Sequence, residues 1–428
     1  MKKRKLVLIS MDAMVKEDFD YLLTKPFFKS LFEKGSWIKT LRTIYPSVTY
    51  PCHAAMITGC YPDKTGIYNN ELDEYRSKLW HWSRSDIKVK TLVDAAKEGG
   101  YTVANVFWPV MNNDPNIDYH VPECWSMTPD EPFSEVMLKR GASQQVFDDI
   151  IDHNRHLIEG HQKQCPYCDE FVYSCGRDII LKYNPDVLLM HPCNLDGARH
   201  SHGVFNAYTT AALDLTCYWI EKIVWALKVV GEWENTDLVI TSDHGQIDIR
   251  RTCNPNRLLE KAGLLAYDEN GKPTTMRAYV RGVGTSAQVF VPDKTAYDET
   301  YKLLCDAAKS GLYGFERCYT RAEVEEAEHL SGAFDFVLET DGYTSFGDRD
   351  SVEYFTNYDI TDYRTGRATH GHLPDKGPQP TMLLVGPDFK AGVHIERRST
   401  LDTAPTLARV LGVSLPDADG TVIEEILA

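Results

Sequence analysis

The chain has 428 residues, of which 43% are hydrophobic and 25% are charged, so it can bury a large core and is neither disordered nor fibrous. Its formal net charge of −16 argues against a protein that binds nucleic-acid duplexes, because that function needs a basic surface. An acidic chain can still act on anionic small molecules if bound divalent cations reverse the charge of its site.

The N-terminus begins like a secretory signal, since a basic stretch, Met1–Lys5, precedes an apolar run. A signal peptide needs an apolar core of about 7–15 residues, whereas this run contains Ser10 and stops at Asp12. We therefore predict a buried first strand, no membrane segment and a cytoplasmic protein. The 11 cysteines, odd in number and scattered, are typical of a reducing compartment.

Short apolar runs alternate with longer amphipathic stretches, which predicts an α/β protein with a mostly parallel sheet and helices on both faces. The predicted strands are Leu6–Ser10, Thr102–Phe107, Val187–His191, Leu238–Thr241 and Met382–Val385. The predicted helices are Pro26–Lys34, Thr91–Glu98, Cys168–Lys182, Ala207–Val230 and Thr403–Leu411. We assign residues 1–264 and 351–428 to this core, with an excursion over 112–164, and residues 265–350 to a small inserted α+β subdomain.

Carboxylates and imidazoles lie near four of the predicted strands, where ligands of open α/β sheets bind. These residues are Asp12, Asp196, His200, Asp243, His244 and His370. A single Asp or His in such a place is as often a turn former or a structural side chain. As a set, however, their oxygen and nitrogen atoms suit zinc or a similar divalent ion, so we predict a metal site at this edge of the sheet.

Thr49 comes just before a predicted helix, Pro51–Ile57, which has a proline in its first turn. A plain capping threonine is the ordinary interpretation of such a position. The positive end of a helix and its free N–H groups also favour a bound phosphoryl group and a threonine alkoxide. Because a metal ion beside the hydroxyl would activate it further, we predict that Thr49 is a nucleophile.

Together these motifs resemble the alkaline phosphatase superfamily, and within it the type I phosphodiesterase / nucleotide pyrophosphatase family. The resemblance runs from Asp12 to His370. Its motifs, in family order, are Thr49-Tyr50-Pro51-Cys52-His53, Thr58-Gly59-Cys60-Tyr61-Pro62 with Gly66-Ile67, Asp196-x-x-x-His200, Asp243-His244-Gly245 and His370-Gly371. It implies an alkaline-phosphatase-like fold and hydrolysis of a small-molecule phosphate diester or nucleotide pyrophosphate.

The same resemblance implies two divalent metal ions, for which zinc is favoured and manganese or iron would also fit. One ion would be held by Asp196, His200 and His370, and the other by Asp12, Asp243, His244 and the Thr49 oxygen. Thr49 would form a covalent phospho-threonine intermediate that water on the first metal then hydrolyses. Asn70 and a backbone N–H near Thr49 would hold a non-bridging oxygen.

Two other side chains are predicted to contact substrate. Tyr50 resembles the family's aromatic residue that stacks on a nucleobase or leaving group, and the alternative is a wall with no base preference. Arg199 would contact an anionic substrate group or, alternatively, pair with an acid at the surface. His202 and His372 have no ligand role in the pattern, which leaves a supporting role or substrate contact.

Other functions fit parts of the pattern. A phosphonate hydrolase that cleaves a C–P bond, such as a phosphonoacetate hydrolase, would share the nucleophile and metals and would need a Lys or Arg for the carboxylate. A phosphomonoesterase would need extra positive groups for a doubly charged phosphoryl group. A non-catalytic protein of the same fold would be expected to lack one of the metal-ligating residues, whereas this sequence contains all of them.

The pair Cys165 and Cys168 forms a CxxC motif without a second copy. A structural zinc site would need two more ligands. Nearby candidates are His153, His156 and His161. The alternative interpretation is a pair of free thiols.

Overall fold

A computed structural model describes residues 3–75, 77, 79–128, 130–348 and 353–428. At its centre is a sheet of eight strands. In chain order these are β1 (Lys5–Ser10), β2 (Gly35–Arg42), β3 (Val103–Val106), β4 (Tyr119–Val121), β5 (Val187–Met190), β6 (Thr236–Thr241), β7 (Met382–Val385) and β8 (His394–Ser399). Their order across the sheet is β8-β2-β7-β6-β1-β5-β3-β4.

All neighbouring strands of this sheet run parallel except β7, which is antiparallel to both β2 and β6. The mostly parallel sheet is therefore confirmed, and each of the five predicted strands is present. The three strands that were not predicted are β2, β4 and β8. They lack an apolar run: β4 has only three residues, and β8, at the sheet edge, reads HIERRS.

Helices cover both faces of the sheet, as predicted. The α-helices are Lys16–Leu22, Pro26–Phe32, Thr49–Thr58, Pro62–Thr65, Leu92–Glu98, Phe133–Lys139, Gln144–Val146, Asp152–Asn154, Tyr167–Tyr183, Asn194–His202, Ala207–Val229, Asn256–Lys261, Tyr297–Ser310, Arg321–Glu328 and Thr403–Leu411. Side chains alternate along β1, so Val7 and Ile9 pack into the core on one face and Leu6 and Leu8 into the core on the other. Both faces of β1 are thus buried, which is why it reads as a continuous apolar run.

The segment 112–164 belongs to the core on one face of the sheet. It contributes edge strand β4, and apolar side chains such as Phe133, Ile150 and Ile158 pack in the same cluster as the long helix Tyr167–Tyr183. Among the helices that the structure describes, none combines the length and the apolar character that a membrane span requires.

The predicted inserted unit is a four-stranded antiparallel sheet with its own apolar core. Its strands are Tyr279–Val283, Ser286–Phe290, Phe315–Thr320 and Phe336–Thr340. The short strand Arg251–Cys253, before the predicted start of the unit at residue 265, pairs with Thr344–Phe346, and Cys253 lies in the same apolar cluster. The bounds 265–350 stay a prediction. The predicted junction between residues 350 and 351 lies outside the described residues. Three short two-residue strands (Ile247–Asp248, Phe355–Thr356, Ala368–Thr369) and the hairpin Leu265–Tyr267 with Pro273–Met276 complete the strands.

Candidate active site

Thr49 is the first residue of the helix Thr49–Thr58, whose ten residues are all buried. Val48 before it is extended, so the chain turns sharply into the helix at the predicted nucleophile. The hydroxyl oxygen of Thr49 lies 3.2 Å from Nε2 of His244. The ring of His53, one turn later, contacts the Thr49 carbonyl at 2.8 Å through Nδ1. Thr49 thus lies at a helix N-terminus, with its hydroxyl within hydrogen-bond distance of the His244 imidazole.

The six predicted Asp and His ligands come together in two groups of three. One group is Asp196, His200 and His370, and the other is Asp12, Asp243 and His244. Within each group the ligand atoms all lie within 4.8 Å of one another. The ring centroids of His244 and His370 are 4.1 Å apart, so the two groups are adjacent. The division is the one that the family resemblance implied.

Several of these ligand atoms are buried without a hydrogen-bond partner in the described structure. They are Oδ1 of Asp12, Oδ2 of Asp243, Nε2 of His200 and Nε2 of His370. Nε2 of His200 lies 3.1 Å from a carboxylate oxygen of Asp196, but the angles do not suit a hydrogen bond. Buried polar atoms without hydrogen-bond partners, grouped within 4.8 Å of one another, fit divalent metal ions. A bound ion would take the place of the hydrogen-bond donors and acceptors that these atoms lack.

Neighbouring backbone and side-chain groups contact the predicted ligands and orient them. Nδ1 of His200 contacts the carbonyl of Ala368 at 2.8 Å, and Nε2 of His191 contacts Oδ2 of Asp12 at 3.1 Å. The backbone N–H of Ala13 donates to Oδ1 of Asp243. Such contacts fix the rotamer of a ligand and leave its other atom to face the ion.

The inserted unit supports His370. The N–H and hydroxyl of Thr285 both donate to the His370 carbonyl at 2.8 Å. Gly284 and Gly371 allow this approach: a Cβ on Gly284 would lie 2.1 Å from the His370 carbonyl oxygen, and one on Gly371 would lie 2.0 Å from that of Val283. The unit therefore holds His370, one of the predicted metal ligands, in place from outside the main sheet.

Burial and mutual repulsion shape the charges of the site. Burial, together with Asp196 and Asp243, raises the pKa of Asp12 well above its ordinary value, and burial raises that of Asp243 to about 7. Burial lowers the pKa of His370 to about 3 and depresses that of His244 as well. The neutral imidazoles of His244 and His370 suit a cation, because only the unprotonated imidazole nitrogen can bind a metal. His200 differs, since against the effect of burial the neighbouring Asp196 carboxylate raises its pKa.

The site opens into a cavity of about 1070 Å³. Its wall includes Thr49, ligands from both groups, and a set of aromatic rings. Trp80 lies at the centre of these rings, with centroids 5.0 Å from Tyr50, 5.1 Å from Trp125 and 5.4 Å from Tyr363. The cavity therefore joins a polar floor to an aromatic wall.

Asn70 and Tyr50 are held together at this wall. Oδ1 of Asn70 accepts a hydrogen bond of 2.8 Å from the Tyr50 N–H, which leaves the Asn70 amide NH₂ as a donor. The Tyr50 ring is fully buried and its hydroxyl donates to Glu123 at 2.6 Å. Tyr50 is thus part of the wall, and the more accessible ring beside it is Trp80.

Arg199 does not lie where substrate contact requires. Its guanidinium is fully buried, contacts both carboxylate oxygens of Asp18 at 2.6 Å, and also donates to the Ala13 carbonyl. It is not among the residues that line the cavity. The prediction of a substrate contact is therefore wrong, and so is that of a surface pair, because the pair is in the interior.

Replacement of Arg199 by Met should destabilise the fold without weakening substrate binding. The buried Asp18 carboxylate would lose its partner, which costs about 3–5 kcal/mol. Urea denaturation should show this loss, while KM for a phosphodiester stays at the wild-type value. Arg155→Met is the matched control, since its ion pair with Glu159 is exposed and contributes about 0.5 kcal/mol or less. A raised KM at unchanged stability would restore the substrate-contact interpretation.

Glu123 lies in the cavity wall, and burial raises its pKa to about 8. At any pH between the ordinary pKa of a glutamate and about 8, the Glu123 carboxyl group is therefore protonated in the folded protein and ionised in the unfolded chain. Stability must fall as pH rises through this window. In Glu123→Gln this side chain no longer titrates. When the pH is raised from about 5 to about 8, the free energy of unfolding of the variant should therefore fall by roughly 1–3 kcal/mol less than that of the wild type. Equal losses in chemical denaturation of both proteins would contradict this assignment.

The remaining predicted residues have simpler environments. His202 is exposed and stacks on Tyr208 with centroids 3.8 Å apart, away from the main cavity. His372 is buried, with Nδ1 3.3 Å from the Thr285 hydroxyl, so it supports the loop that carries His370. All 11 cysteines are free thiols. His153 and His156 are exposed, and the third partner of the CxxC pair is Cys193 instead.

Sequence reasoning missed several residues of the cavity. They are Trp80, Glu123, Trp125, Lys163, Cys193 and Tyr363. His191 was noted at a strand end but was given no role. Trp80 and Trp125 had a weak signal, because two tryptophans in polar stretches suggest a surface that binds something. Glu123, Lys163 and Cys193 had none, since their neighbours come from distant segments.

The order of the sheet and the threonine at its carboxyl edge define an alkaline-phosphatase-like fold. The sequence model of the type I phosphodiesterase / nucleotide pyrophosphatase family matches residues 6–372, and the chain belongs to this family. It is accordingly a hydrolase of the phosphodiesterase and nucleotide pyrophosphatase class, in a family that depends on metals.

Several known proteins are similar to this chain. Ectonucleotide pyrophosphatase/phosphodiesterase family member 5 of Homo sapiens is 21% identical over 431 residues, which cover 98% of this chain and 76% of that protein. The bis(5'-adenosyl)-triphosphatase of Bos taurus is 20% identical over 436 residues, 97% of this chain and 80% of that protein. The solved structure of murine member 5, in an inactive threonine-to-alanine form in complex with AMP, matches with a TM-score of 0.68 at 17% identity and covers 100% of both chains.

Proposed function

We propose that this chain hydrolyses phosphate diesters or nucleotide pyrophosphates through a covalent phospho-threonine intermediate on Thr49. The observation that carries the proposal is the position of the Thr49 hydroxyl, 3.2 Å from Nε2 of His244 in one ligand group. The His244 ring in turn lies 4.1 Å from the ring of His370 in the other group. In the first step the Thr49 oxygen would form a bond to phosphorus while the bond to the leaving oxygen breaks. Hydrolysis of the phospho-threonine would then regenerate the hydroxyl.

Asn70 supports this step. Because its Oδ1 accepts from the Tyr50 N–H, its NH₂ group is the part of the amide that would donate to a non-bridging phosphoryl oxygen beside Thr49. A fixed donor of this kind stabilises charge that develops in the transition state and needs no reorganisation. We assign Thr49 as nucleophile and Asn70 as its partner in binding the phosphoryl group.

The donor sets fit two divalent ions, and zinc suits the mix of carboxylate and imidazole. Asp196, His200 and His370 would hold one, and Asp12, Asp243, His244 and the Thr49 oxygen the other. Bound there, the ions would neutralise phosphoryl oxygens and lower the pKa of the Thr49 hydroxyl. The buried ligand atoms that lack hydrogen-bond partners support this assignment.

The charges of the cavity favour a singly charged phosphoryl group. The cationic side chains in its wall are Lys163 and Arg364 among the described residues. Arg364 is already paired with Asp348 and Asp362 at 2.7 and 3.0 Å. A phosphomonoester, which carries a second negative charge, would find little further compensation, whereas a diester would not need it.

The aromatic wall and the relatives favour a nucleotide as the substrate. Rings such as Trp80 and Tyr363 offer faces on which a base can stack. The bovine relative is named for hydrolysis of a bis-adenosyl triphosphate, and the murine structure contains AMP. We propose a nucleoside monophosphate as one product.

The 11 free thiols support a cytoplasmic location, which stays a prediction.

One observation favours a phosphonate hydrolase as the second candidate. Lys163 lies in the cavity wall with its ammonium 3.8 Å from the centroid of the Trp125 ring, and it could bind the carboxylate of a substrate such as phosphonoacetate. Its charge is partly balanced by Glu123, which weakens that role when Glu123 is ionised.

The test is a comparison of initial rates on bis-p-nitrophenyl phosphate, p-nitrophenyl phosphate and phosphonoacetate, after chelation and again with zinc. We expect the diester to be hydrolysed faster than the monoester, no rate after chelation, and recovery with zinc. Preference for phosphonoacetate would support the second candidate. Turnover that survives chelation would contradict the two-ion assignment.

A further inference from the structure

Three cysteines in the wall of the same cavity form a separate cluster with a buried aspartate. The Sγ atoms of Cys165 and Cys168 lie 4.0 and 3.9 Å from Sγ of Cys193. The carboxylate of Asp169, the residue after Cys168, lies within 4.8 Å of the sulfurs of Cys165 and Cys193. We call these four residues the thiol cluster. It shares no residue with the two Asp/His groups.

We propose that the thiol cluster binds a further metal ion, a thiophilic divalent ion of the zinc class. Its ligands would be Sγ of Cys165, Sγ of Cys193 and the carboxylate of Asp169. Sγ of Cys168 lies beside them, 3.9 Å from Sγ of Cys193. Binding would release the protons of the ligating thiols to solvent. The site is distinct from the two-ion centre and does not depend on it.

The spacing of the sulfurs carries the proposal. In a tetrahedral zinc site with Zn–S bonds of about 2.3 Å, two sulfur atoms lie about 3.8 Å apart. The two measured separations, 4.0 and 3.9 Å, are close to this value. A disulfide would need about 2.05 Å. The Cys193 sulfur is thus at a distance from each of the other two that suits two thiolates on one ion.

The carboxylate is the second observation. Asp169 is only 1% exposed, and its Oδ1 accepts hydrogen bonds of 2.7 and 2.9 Å from the backbone N–H groups of Cys193 and Asn194. Within the part of the chain that the structure describes, no Lys or Arg forms an ion pair with it. A buried carboxylate without a cation is costly, so an ion at the thiol cluster would offset its charge.

The fold brings these residues together from two places. Cys165 and Cys168 are at the start of the helix Tyr167–Tyr183, and Cys193 lies between β5 and the helix Asn194–His202. Sγ of Cys165 rests against Gly197 of that second helix, where an added Cβ would lie 3.0 Å from the sulfur. The second helix carries Asp196 and His200, so an ion here would fix the start of the element that supplies two catalytic-centre ligands.

The direct test adds Cd²⁺ to the full chain after reduction and chelation. Thiolate ligands give an ultraviolet charge-transfer band with Cd²⁺ that carboxylate and imidazole ligands do not. We expect the band in the wild type and in Cys217→Ser, whose thiol lies in the helix Ala207–Val229. We expect its loss in Cys165→Ser and in Cys193→Ser, with metal content lower by about one equivalent per chain.

A second measurement needs no variant and so does not depend on folding. Iodoacetamide labelling of the wild type, mapped by mass spectrometry, should show that zinc protects Cys165, Cys168 and Cys193 but leaves the labelling of Cys305 unchanged. Absence of the band together with equal labelling with and without zinc would overturn the proposal. So would a disulfide within the cluster of the protein isolated under reducing conditions. Thr49→Ala should keep the band, which separates this inference from the proposed hydrolysis.

Discussion

Thr49→Ala should lower the rate of bis-p-nitrophenyl phosphate hydrolysis by about 10⁴-fold or more, because the variant cannot form the phospho-threonine. The fold should survive, since the Thr49 side chain is small and lies at the first turn of its helix. Metal content should change little, because the three Asp and His side chains of each group remain. The measurement is the turnover rate of the zinc-loaded variant, with its melting temperature as a check on folding.

Two variants serve as controls for this result. Thr49→Ser keeps a hydroxyl nucleophile and should retain a measurable part of the rate. Thr58→Ala makes the same substitution at the far end of the same helix, where the hydroxyl donates to the Ala54 carbonyl, and should hydrolyse the diester at close to the wild-type rate. If Thr49→Ala kept the wild-type rate, Thr49 would not be the nucleophile.

His244→Ala should abolish turnover through loss of a metal. His244 lies 3.2 Å from both Asp243 and the Thr49 hydroxyl, so its removal opens the group that activates the nucleophile. We expect a rate lower by about 10³-fold or more and about one metal equivalent fewer per chain. Zinc should also raise the melting temperature of the variant less than that of the wild type, because ion binding stabilises only the folded state.

His156→Ala is the matched control, because His156 is exposed and lies outside both groups. It should keep the wild-type metal content and rate. Full activity of His244→Ala after reconstitution with zinc would remove His244 from the ligand set. Loss of turnover with unchanged metal content would instead assign it to the chemistry of Thr49.

The sequence was most informative where chemistry is concentrated in a few adjacent residues. Asp243-His244-Gly245 directly follows β6, and Asp12 follows β1, so their place at the carboxyl edge follows from strand prediction alone. The structure brings all six predicted Asp and His ligands into two groups that could each hold an ion. The division between the groups came from the family resemblance, since residues as distant as Asp196 and His370 have no local signal that joins them.

The sequence was least informative where a role depends on tertiary partners. Arg199 beside the ligand His200 suggested an anion contact, but helix geometry directs it inward, onto Asp18. Cys193 has no motif of its own, and only the packing of two helix starts brings it to Cys165 and Cys168. The sequence does not predict edge strands for a similar reason. Strand β8 is polar on its exposed side, so it has no run of apolar residues from which its pairing with β2 could be predicted.

The measurement that tests the central claim most directly is the stereochemical course of hydrolysis at phosphorus, with a chiral phosphorothioate diester as substrate. A phospho-threonine intermediate requires two in-line displacements, each with inversion, so we predict net retention of configuration. Net inversion would mean a single direct attack by water. That result would contradict the assignment of Thr49 as a covalent nucleophile, whatever metals the site holds.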